Sequence, residues 1–203
     1  MRREINRKLL HLATVTAPLL VWVLPRPYSL SLLGGAAAAA LAVEWARTNV
    51  RWARYHFLRR ARPMLRPHER RRLSGATYMA VAYLAAHLLL PRPLAVAAML
   101  YNGLGDAAAA LVGKRWGRHR TAWGKSWEGA LAALVVCLGV GALIPGVPWP
   151  AVVLGGVAAA LLEFLPLPGD DNLRVTLGGG GGAWVGAWLA HSPGSLVLSL
   201  ALH

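Results

Sequence analysis

Charged residues are scarce in this chain of 203 residues, and acids are the scarcest of them. Only 15% of the residues are charged, with 8 Asp and Glu against 22 Lys and Arg, so the formal net charge is +14. The single cysteine, Cys137, excludes a disulfide framework. The hydrophobic share of 56% excludes an intrinsically disordered protein. Because a soluble domain usually carries a larger charged share on its surface, the composition favours a membrane protein with basic loops.

Apolar runs with little charge recur along the whole chain. A helix needs about 20 apolar residues to cross the hydrocarbon core of a bilayer. The runs are Leu9–Leu24, Tyr28–Ala46, Gly75–Leu90, Pro93–Val112, Trp127–Ile144, Trp149–Leu165 and Leu173–Leu202. We therefore predict an all-α fold, a polytopic membrane helical bundle of about seven transmembrane helices, with six or eight as alternatives. It forms one domain over residues 1–203, and its first run is expected to be a retained helix and not a cleaved signal peptide.

The positions of the basic residues predict the orientation of the bundle. Residues 47–74 hold ten arginines, residues 113–126 hold five Lys and Arg, and the N-terminal segment holds four. The opposite ends of the predicted spans carry only Arg26 and Arg92, in short proline-bounded turns. Because cytoplasmic loops are enriched in Lys and Arg, we predict that the N-terminus and both basic loops are cytoplasmic. The pI near 11.5 then reflects topology, and no nucleic-acid partner is predicted.

Aromatic and aliphatic residues interrupt the arginines of residues 47–74. They are Trp52, Tyr55, Phe57 and Leu58. Two interpretations fit this pattern equally well. The segment is either an amphipathic helix that lies on anionic lipid, or a solvated loop that acts only as a topology signal.

Two acids, Asp106 and Glu163, lie within or near the end of apolar runs, where a buried acid costs about 2.5–3.5 kcal/mol on insertion scales. Asn102 precedes Asp106 by four residues, so both side chains share one helix face. Small residues also step by four, at Gly105, Ala109, Gly113 and Gly117. Such a ridge lets another helix or a ligand phosphate approach the backbone. Alternatively, the ridge only packs helices and a neighbouring polar group satisfies Asp106.

The loop over residues 113–126 mixes glycines with basic residues, a combination that suits an oligophosphate. The basic residues considered for phosphate contacts are Lys114, Arg118 and Lys125. Asp106 and Glu128 bracket this loop. Acids beside a phosphate site indicate a bridging Mg²⁺, which prefers carboxylate and phosphate oxygens. The loop is therefore predicted to bind an oligophosphate with Mg²⁺.

A shorter acidic loop over residues 166–172 follows Glu163 and is also predicted to be cytoplasmic. Its polar residues are Asp170, Asp171 and Asn172. They fit two roles: metal ligands, or a turn with an Asx cap for the next helix. The glycine run Gly178–Gly182 also has two interpretations, tight helix packing or close approach to lipid or nucleotide.

Three groups of residues carry a family resemblance. They are Arg7-Lys8-x-x-His11, then Asn102-x-x-Gly105-Asp106 with Lys125-Ser126-x-Glu128-Gly129, and finally Glu163 with Asp170-Asp171-Asn172-Leu173. On these motifs the chain, from Arg7 to about Gly182, resembles the dolichol kinase/phytol kinase family of membrane lipid kinases. That group includes CTP-dependent diacylglycerol kinases and is distantly similar to phosphatidate cytidylyltransferases. The chain departs from it at Thr176, where many members have proline, and at Gly124, where a second polar or basic residue is frequent.

The resemblance implies transfer of the γ-phosphate of a nucleoside triphosphate to a lipid alcohol, with Mg²⁺ as cofactor. The donor is typically CTP, with ATP as the alternative. The acceptor is a phytol-, geranylgeraniol- or dolichol-like polyprenol, or diacylglycerol. The protein would be integral to a bacterial cytoplasmic membrane, with its site facing the cytoplasm. The alternative functions are cytidylyltransferase-like synthesis of a CDP-lipid and a non-enzymatic transporter or lipid-binding protein. No oligomeric state is predicted.

The motifs and the resemblance together assign a role to each candidate residue. Asp106 and Lys125 are expected to be catalytic. The nucleotide is expected to contact Asn102, Gly113, Lys114, Gly117, Arg118, Lys125, Ser126 and Glu128. The Mg²⁺ ligands are expected among Asp106, Glu163, Asp171 and Asn172. The accessory candidates are Arg7, Lys8, His11 and Asp170.

Overall fold

The computed structural model describes residues 15–61 and 73–190, and in these two ranges the chain forms helices and no β-strand. Eight helices follow one another along the described chain. They are α1 Thr16–Val23, α2 Arg26–Asn49, α3 Arg51–Ala61, α4 Gly75–Leu89, α5 Arg92–Arg115, α6 Trp127–Leu143, α7 Trp149–Phe164 and α8 Asp171–Ala190. The prediction of an all-α fold is therefore confirmed for this part of the chain.

Prolines mark the starts of three helices. α2, α5 and α7 each carry a proline at one of their first two positions. The missing N–H of proline costs nothing there, because the first N–H groups of a helix have no partner within it. These starts follow the short proline-bounded connections, so α4 and α5, like α6 and α7, turn back and pack against each other. Gly146, in the turn before α7, has a φ of 80°, a conformation that glycine adopts readily.

The glycine run Gly178–Gly182 of α8 lies against its neighbouring helices. A Cβ on Gly182 would lie 2.7 Å from the carbonyl oxygen of Leu154 on α7. Every other glycine of the run except Gly181 would also meet a side chain of another helix. Small residues allow helix backbones to approach closely. The structure therefore favours helix packing over the ligand contact that the sequence also allowed.

A π-helical turn over Tyr101–Gly105 interrupts α5 immediately before Asp106. Tyr101 is fully buried, and its ring packs against one glycine from each of three neighbouring helices. These glycines are Gly141, Gly155 and Gly179. A π turn widens a helix by one residue and occurs often at functional sites. The π turn therefore places the ring of Tyr101 in the core, and α5 resumes as a regular α-helix at Asp106.

Apolar side chains cover much of the outer surface of the described bundle. Large hydrophobic residues are exposed along α2, α6, α7 and α8. All nine tryptophans are exposed by more than a third. Trp22, Trp149, Trp184 and Trp188 lie toward one end, and the other five lie at or beyond the opposite end. Belts of tryptophan and tyrosine at both interfaces are typical of membrane-spanning proteins.

Two helices, α2 and α5, are long and apolar enough to cross a membrane, judged by length and composition. Helices α4, α6 and α7 are apolar but shorter, with 10–17 residues. The count of seven spans and the orientation of the N-terminus therefore stay predictions. The first and last predicted runs, Leu9–Leu24 and Leu173–Leu202, extend outside the described residues.

The predicted loop boundary at residue 47 is wrong. α2 continues to Asn49, and α3 begins at Arg51 after a single residue. Arg47 is only 2% exposed because its guanidinium pairs with the carboxylate of Glu44, almost one helical turn earlier. Since the helix satisfies this charge internally, it does not end where the arginines begin.

We expect Gly182→Ala to lower the melting temperature of the detergent-solubilised protein, because its methyl group would press on the carbonyl of Leu154. Overpacking of this kind costs about 1–3 kcal/mol. Gly181→Ala is the matched control, since its methyl group meets no atom within 4 Å and alanine favours a helix by up to about 1 kcal/mol. A Gly182→Ala protein as stable as the Gly181→Ala protein would contradict this account of the packing.

Candidate functional site

A polar cleft of about 240 Å³ lies at the end of the bundle where α5 and α7 end and α6 and α8 begin. Both signs of charge line it: Asp106, Glu163 and Asp171 are acidic, and Lys114, Arg120 and Lys125 are basic. Seven residues predicted for the site line this cleft. They are Asp106, Gly113, Lys114, Lys125, Ser126, Glu163 and Asp171.

The three acids of the cleft come from three different helices. Asp106 lies on α5, Glu163 on α7 and Asp171 on α8. The carboxylates of Asp106 and Asp171 are both close enough to that of Glu163 to interact with it electrostatically. Like charges repel more strongly in a cleft than in water, so a cation nearby would stabilise this arrangement.

Lys125 supplies positive charge at this point. Its ammonium group lies 3.0 Å from Oε1 of Glu163 and also donates to the main-chain oxygen of Glu163. That oxygen belongs to the last turn of α7, where carbonyl groups lack partners within the helix. A cation there is favoured by both the free carbonyls and the helix dipole. The lysine therefore joins the basic loop to the end of α7 and faces the acids of the cleft.

The basic loop closes in a tight turn. The N–H of Thr121 donates to the carbonyl oxygen of Lys125 at 2.8 Å, and Gly124 within the turn has a φ of 86°. Arg120 donates to the carbonyl oxygens of Gly113, at 3.1 Å, and of Gly124, at 3.4 Å. Trp123 donates to the carbonyl oxygen of Phe164 at the end of α7. These bonds attach the turn to α5 on one side and to α7 on the other.

Glu128 holds the first part of the same loop. Its Oε1 accepts hydrogen bonds from the N–H of Arg118 at 3.1 Å and the N–H of His119 at 3.0 Å. The ring Nδ1 of His119 lies 2.8 Å from the same oxygen. Neither Glu128 nor Arg118 lines the cleft. In this structure Glu128 therefore shapes the loop, whereas the sequence predicted that both residues contact the nucleotide.

The ridge of small residues receives the start of α6. The hydroxyl of Ser126 accepts a hydrogen bond from the N–H of Gly129 at 3.1 Å and so caps α6. A Cβ on Gly113 would lie 2.8 Å from this hydroxyl, and one on Gly117 would lie 2.7 Å from it. Gly113 also lines the cleft, but Gly117 does not. Both glycines thus make room for the cap, and of the two only Gly113 lines the cleft.

Asp170 and Asn172 form a cap and do not line the cleft. Asp170 Oδ1 accepts hydrogen bonds from the main-chain N–H and the side-chain amide of Asn172, each at 2.9 Å. Asn102, which is buried, donates to Oδ1 of Asn172 at 3.4 Å. The Asx turn allowed by the sequence is therefore present, and of the three polar residues here only Asp171 faces the cleft. The accessory candidates Arg7, Lys8 and His11 lie outside the described residues.

Sequence reasoning missed Arg120 as a residue of the cleft. It chose Arg118 from the same loop, because both are arginines among glycines and nothing local distinguishes them. The turn at Gly124 and the bonds to Glu128 decide which of the two reaches the cleft. Those contacts depend on the position of α6 relative to α5, which spacing along the chain does not reveal.

The acids of the cleft suit a magnesium ion held partly by phosphate. Among the described residues, no group of three or more His, Cys, Asp and Glu side chains could hold a metal by itself. Mg²⁺ does not need one, since it is commonly bound through one or two carboxylates, substrate phosphates and water. The hard oxygen donors of Asp106 and Asp171 fit such a site, and one oxygen of Asp171 is also paired with the guanidinium of Arg174. Glu163 is engaged by Lys125, and the amide oxygen of Asn172 is engaged by Asn102.

Fold and cleft together define the class of protein: a helical bundle with an apolar exterior and a phosphate-sized, charged cleft at one end. The chain is 31% identical to the phytol kinase of Synechocystis sp. over 199 residues, which cover 92% of this chain and 81% of that protein. It therefore belongs to the phytol kinase family, and the family predicted from the sequence motifs is confirmed. No protein-family model and no solved structure matches the chain significantly.

Glu128→Ala is expected to speed amide hydrogen exchange over residues 116–120, because two backbone N–H groups and a histidine ring lose their acceptor. His119→Ala is the matched control, since it removes the ring contact and keeps both backbone bonds. Exchange should rise much less in that variant, and the packed α7–α8 pair should exchange as before in both. Unchanged exchange over residues 116–120 in Glu128→Ala would show that this carboxylate does not hold the loop.

Proposed function

We propose that this protein is an integral membrane kinase that transfers the γ-phosphate of a nucleoside triphosphate, preferably CTP, to the hydroxyl of a lipid alcohol of the phytol or polyprenol type. One observation carries the proposal: three acids and three bases converge in a single cleft at the end of an apolar bundle. The identity with a phytol kinase over most of the chain supports the same reaction class.

The size of the cleft suits the phosphate end of the donor. Pockets that enclose a whole drug-sized ligand have volumes of about 300–1,000 Å³. At about 240 Å³, this cleft accommodates a polyphosphate, and the nucleoside would extend beyond its mouth. Lys114, Arg120 and Lys125 offer ammonium groups and a guanidinium fork to the phosphate oxygens. Gly113, which has no side chain, lines the α5 side of the cleft.

Phosphoryl transfer depends mainly on positioning and on neutralising charge, and a bound Mg²⁺ would supply part of that neutralisation. Asp106 and Asp171 would hold the ion. Asp106 is also placed to accept a hydrogen bond from the lipid hydroxyl and so orient its oxygen. Transfer forms a bond from that oxygen to the γ-phosphorus and breaks the bond to the bridging oxygen of the donor. The products are a lipid phosphate, a nucleoside diphosphate and the hydroxyl proton, which passes to solvent.

Lys125 and Glu163 act as one unit in this scheme. The lysine is held near the phosphates by its bonds to the carboxylate and main-chain oxygen of Glu163. A pre-positioned cation needs no reorganisation when charge shifts to the leaving diphosphate. Glu163 thus positions Lys125, which is a role distinct from that of a metal ligand.

The location of the cleft fits a lipid acceptor and a water-soluble donor. The cleft lies at the end of the bundle where tryptophans such as Trp116, Trp123 and Trp127 are exposed. Tryptophans of this kind lie at the headgroup level of a bilayer. A lipid alcohol would keep its tail in hydrocarbon and present its hydroxyl at that level. By the positive-inside rule, the basic loops beside the cleft support an orientation in which this end faces the cytoplasm, in a bacterial cytoplasmic membrane.

The reaction is tested with the purified full chain, Mg²⁺, a panel of lipid alcohols, and CTP or ATP labelled at the α or γ phosphate. We expect label from the γ position in the lipid and release of the nucleoside diphosphate. With a lipid phosphate added as the acceptor, label from the α position in the lipid and release of pyrophosphate from the nucleotide would instead identify a cytidylyltransferase. No labelled lipid with any acceptor would contradict both enzymatic assignments.

In the same assay, Asp106→Asn is expected to lower turnover at least about 100-fold, the loss typical of removing one well-placed electrostatic group. Asp170→Asn is the matched control, because that side chain bonds Asn172 outside the cleft and an amide oxygen can still accept both bonds. It should stay within a few-fold of the unaltered protein. Near-normal turnover in a folded Asp106→Asn protein would refute the role given to Asp106.

A further inference from the structure

One face of helix α3 packs against the end of α2. The ring of Phe57 lies 5.4 Å from the guanidinium carbon of Arg47 at the end of α2. Arg47 is paired with Glu44, whose other oxygen accepts from the N–H of Ser74 at 2.9 Å and from the hydroxyl of Thr77 at 3.2 Å. This buried network joins α2, α3 and the start of α4. The orientation of α3 is therefore set by contacts within the protein.

The face of α3 opposite to Phe57 is exposed and aromatic. Trp52 is 71% exposed and Tyr55 is 62% exposed. The ring of His56 contacts both, with its centre 4.5 Å from that of Trp52 and 5.4 Å from that of Tyr55. Arg51 and Arg59 are exposed one turn before and one turn after Tyr55, so they flank this aromatic group on the same face.

The charge of α3 has one sign only. Its eleven residues include four arginines and no acid. A solvated helix is usually supported by pairs of opposite charge one turn apart, and here such pairs do not exist. Arginines beside tryptophan and tyrosine, on one face of a short helix, are typical of helices that lie in the headgroup region of anionic membranes. Aromatic rings that would be costly to hold in water are then buried among headgroups.

We propose that α3 is an interfacial helix that binds anionic lipid headgroups through Arg51, Arg54 and Arg59, with Trp52 and Tyr55 inserted at headgroup level. The bound surface is the cytoplasmic leaflet of the membrane that holds the bundle, so this inference rests on the membrane insertion contained in the proposed function. The contact of Phe57 with Arg47 gives α3 a fixed orientation, and binding of lipid needs no rearrangement of the bundle. The cleft at α5–α8 takes no part in this contact.

The test uses the full chain reconstituted in vesicles of phosphatidylcholine, with or without phosphatidylglycerol. Amide hydrogen exchange is measured over residues 51–61. Fluorescence quenching of Trp52 by lipids brominated near the headgroup is measured as well. The Trp52 signal is obtained by subtracting the fluorescence of the Trp52→Phe variant from that of the unaltered protein. We expect phosphatidylglycerol to slow exchange in α3 several-fold and to increase the quenching. The variant R51Q/R54Q/R59Q should lose both effects of phosphatidylglycerol.

Arg115→Gln is the control for charge, because Arg115 is exposed beyond the cleft and stacks on Trp116. Arg115→Gln removes one positive charge from the same end of the bundle, as Arg54→Gln does. It should leave the response of α3 to phosphatidylglycerol unchanged. Exchange and quenching that are the same in both vesicle types would overturn the proposal. Protection by an added RNA oligonucleotide in phosphatidylcholine vesicles, without any effect of phosphatidylglycerol, would overturn it in favour of a nucleic-acid partner.

Insertion is measured separately, by flotation of the vesicles after alkaline extraction. If the unaltered protein fails to float, membrane insertion is wrong and the proposal falls with it. If the protein floats and phosphorylates a lipid alcohol, but phosphatidylglycerol changes neither the exchange of α3 nor the quenching of Trp52, only the proposal about α3 is wrong. The comparison of the two vesicle types with the unaltered protein decides the matter even when the triple variant does not fold.

Discussion

The ammonium group of Lys125 lies where three acids from three helices converge, and the geometry of the cleft depends on this contact. Without a cation, the carboxylates of Asp106, Glu163 and Asp171 would repel one another in the cleft. Lys125 also binds a main-chain oxygen in the last turn of α7. One side chain therefore offsets acidic charge, satisfies a helix end and attaches the basic loop to the bundle.

The packing of the helices brings the three acids of the cleft to the same end of the bundle. The π turn before Asp106 buries Tyr101 among glycines of α6, α7 and α8, which fixes α5 against all three. The glycine run of α8 lets that helix lie close to α7, so Asp171 and Glu163 begin and end neighbouring helices at the same end. Close packing of small residues in the apolar part of the bundle thus determines a polar arrangement at its edge.

Much of this arrangement could be predicted from the sequence, because acids are rare in the chain and apolar runs are long. Burying an acid such as Asp106 inside an apolar run costs free energy, which indicates a functional role for that residue. The same argument applied to Glu163. The spacing from Gly113 to Lys125 also indicated a phosphate loop on the same side. The acidic loop that follows Glu163 added Asp171 to this group, and all of these residues line one cleft.

Other features of the site could not be predicted, since they depend on how helices pack and how turns close. The choice of Arg120 over Arg118, and the use of Glu128 to hold the loop, follow from the position of α6 beside α5. Asn172 looked like a metal ligand, but its amide completes the cap that Asp170 provides for α8. The end of α2 was misplaced because Arg47 is neutralised by Glu44 within the helix.

The central claim is that this cleft binds the phosphates of a nucleotide, and the three lysines of the chain allow a direct measurement. Their rates of modification by an amine reagent are compared by mass spectrometry, with Mg²⁺ and either a CTP analogue that resists γ-phosphate transfer or cytidine. The account predicts that the analogue slows modification of Lys125 and Lys114 and that cytidine does not. Unchanged modification of Lys125 in the presence of the analogue, or equal protection by cytidine, would contradict it.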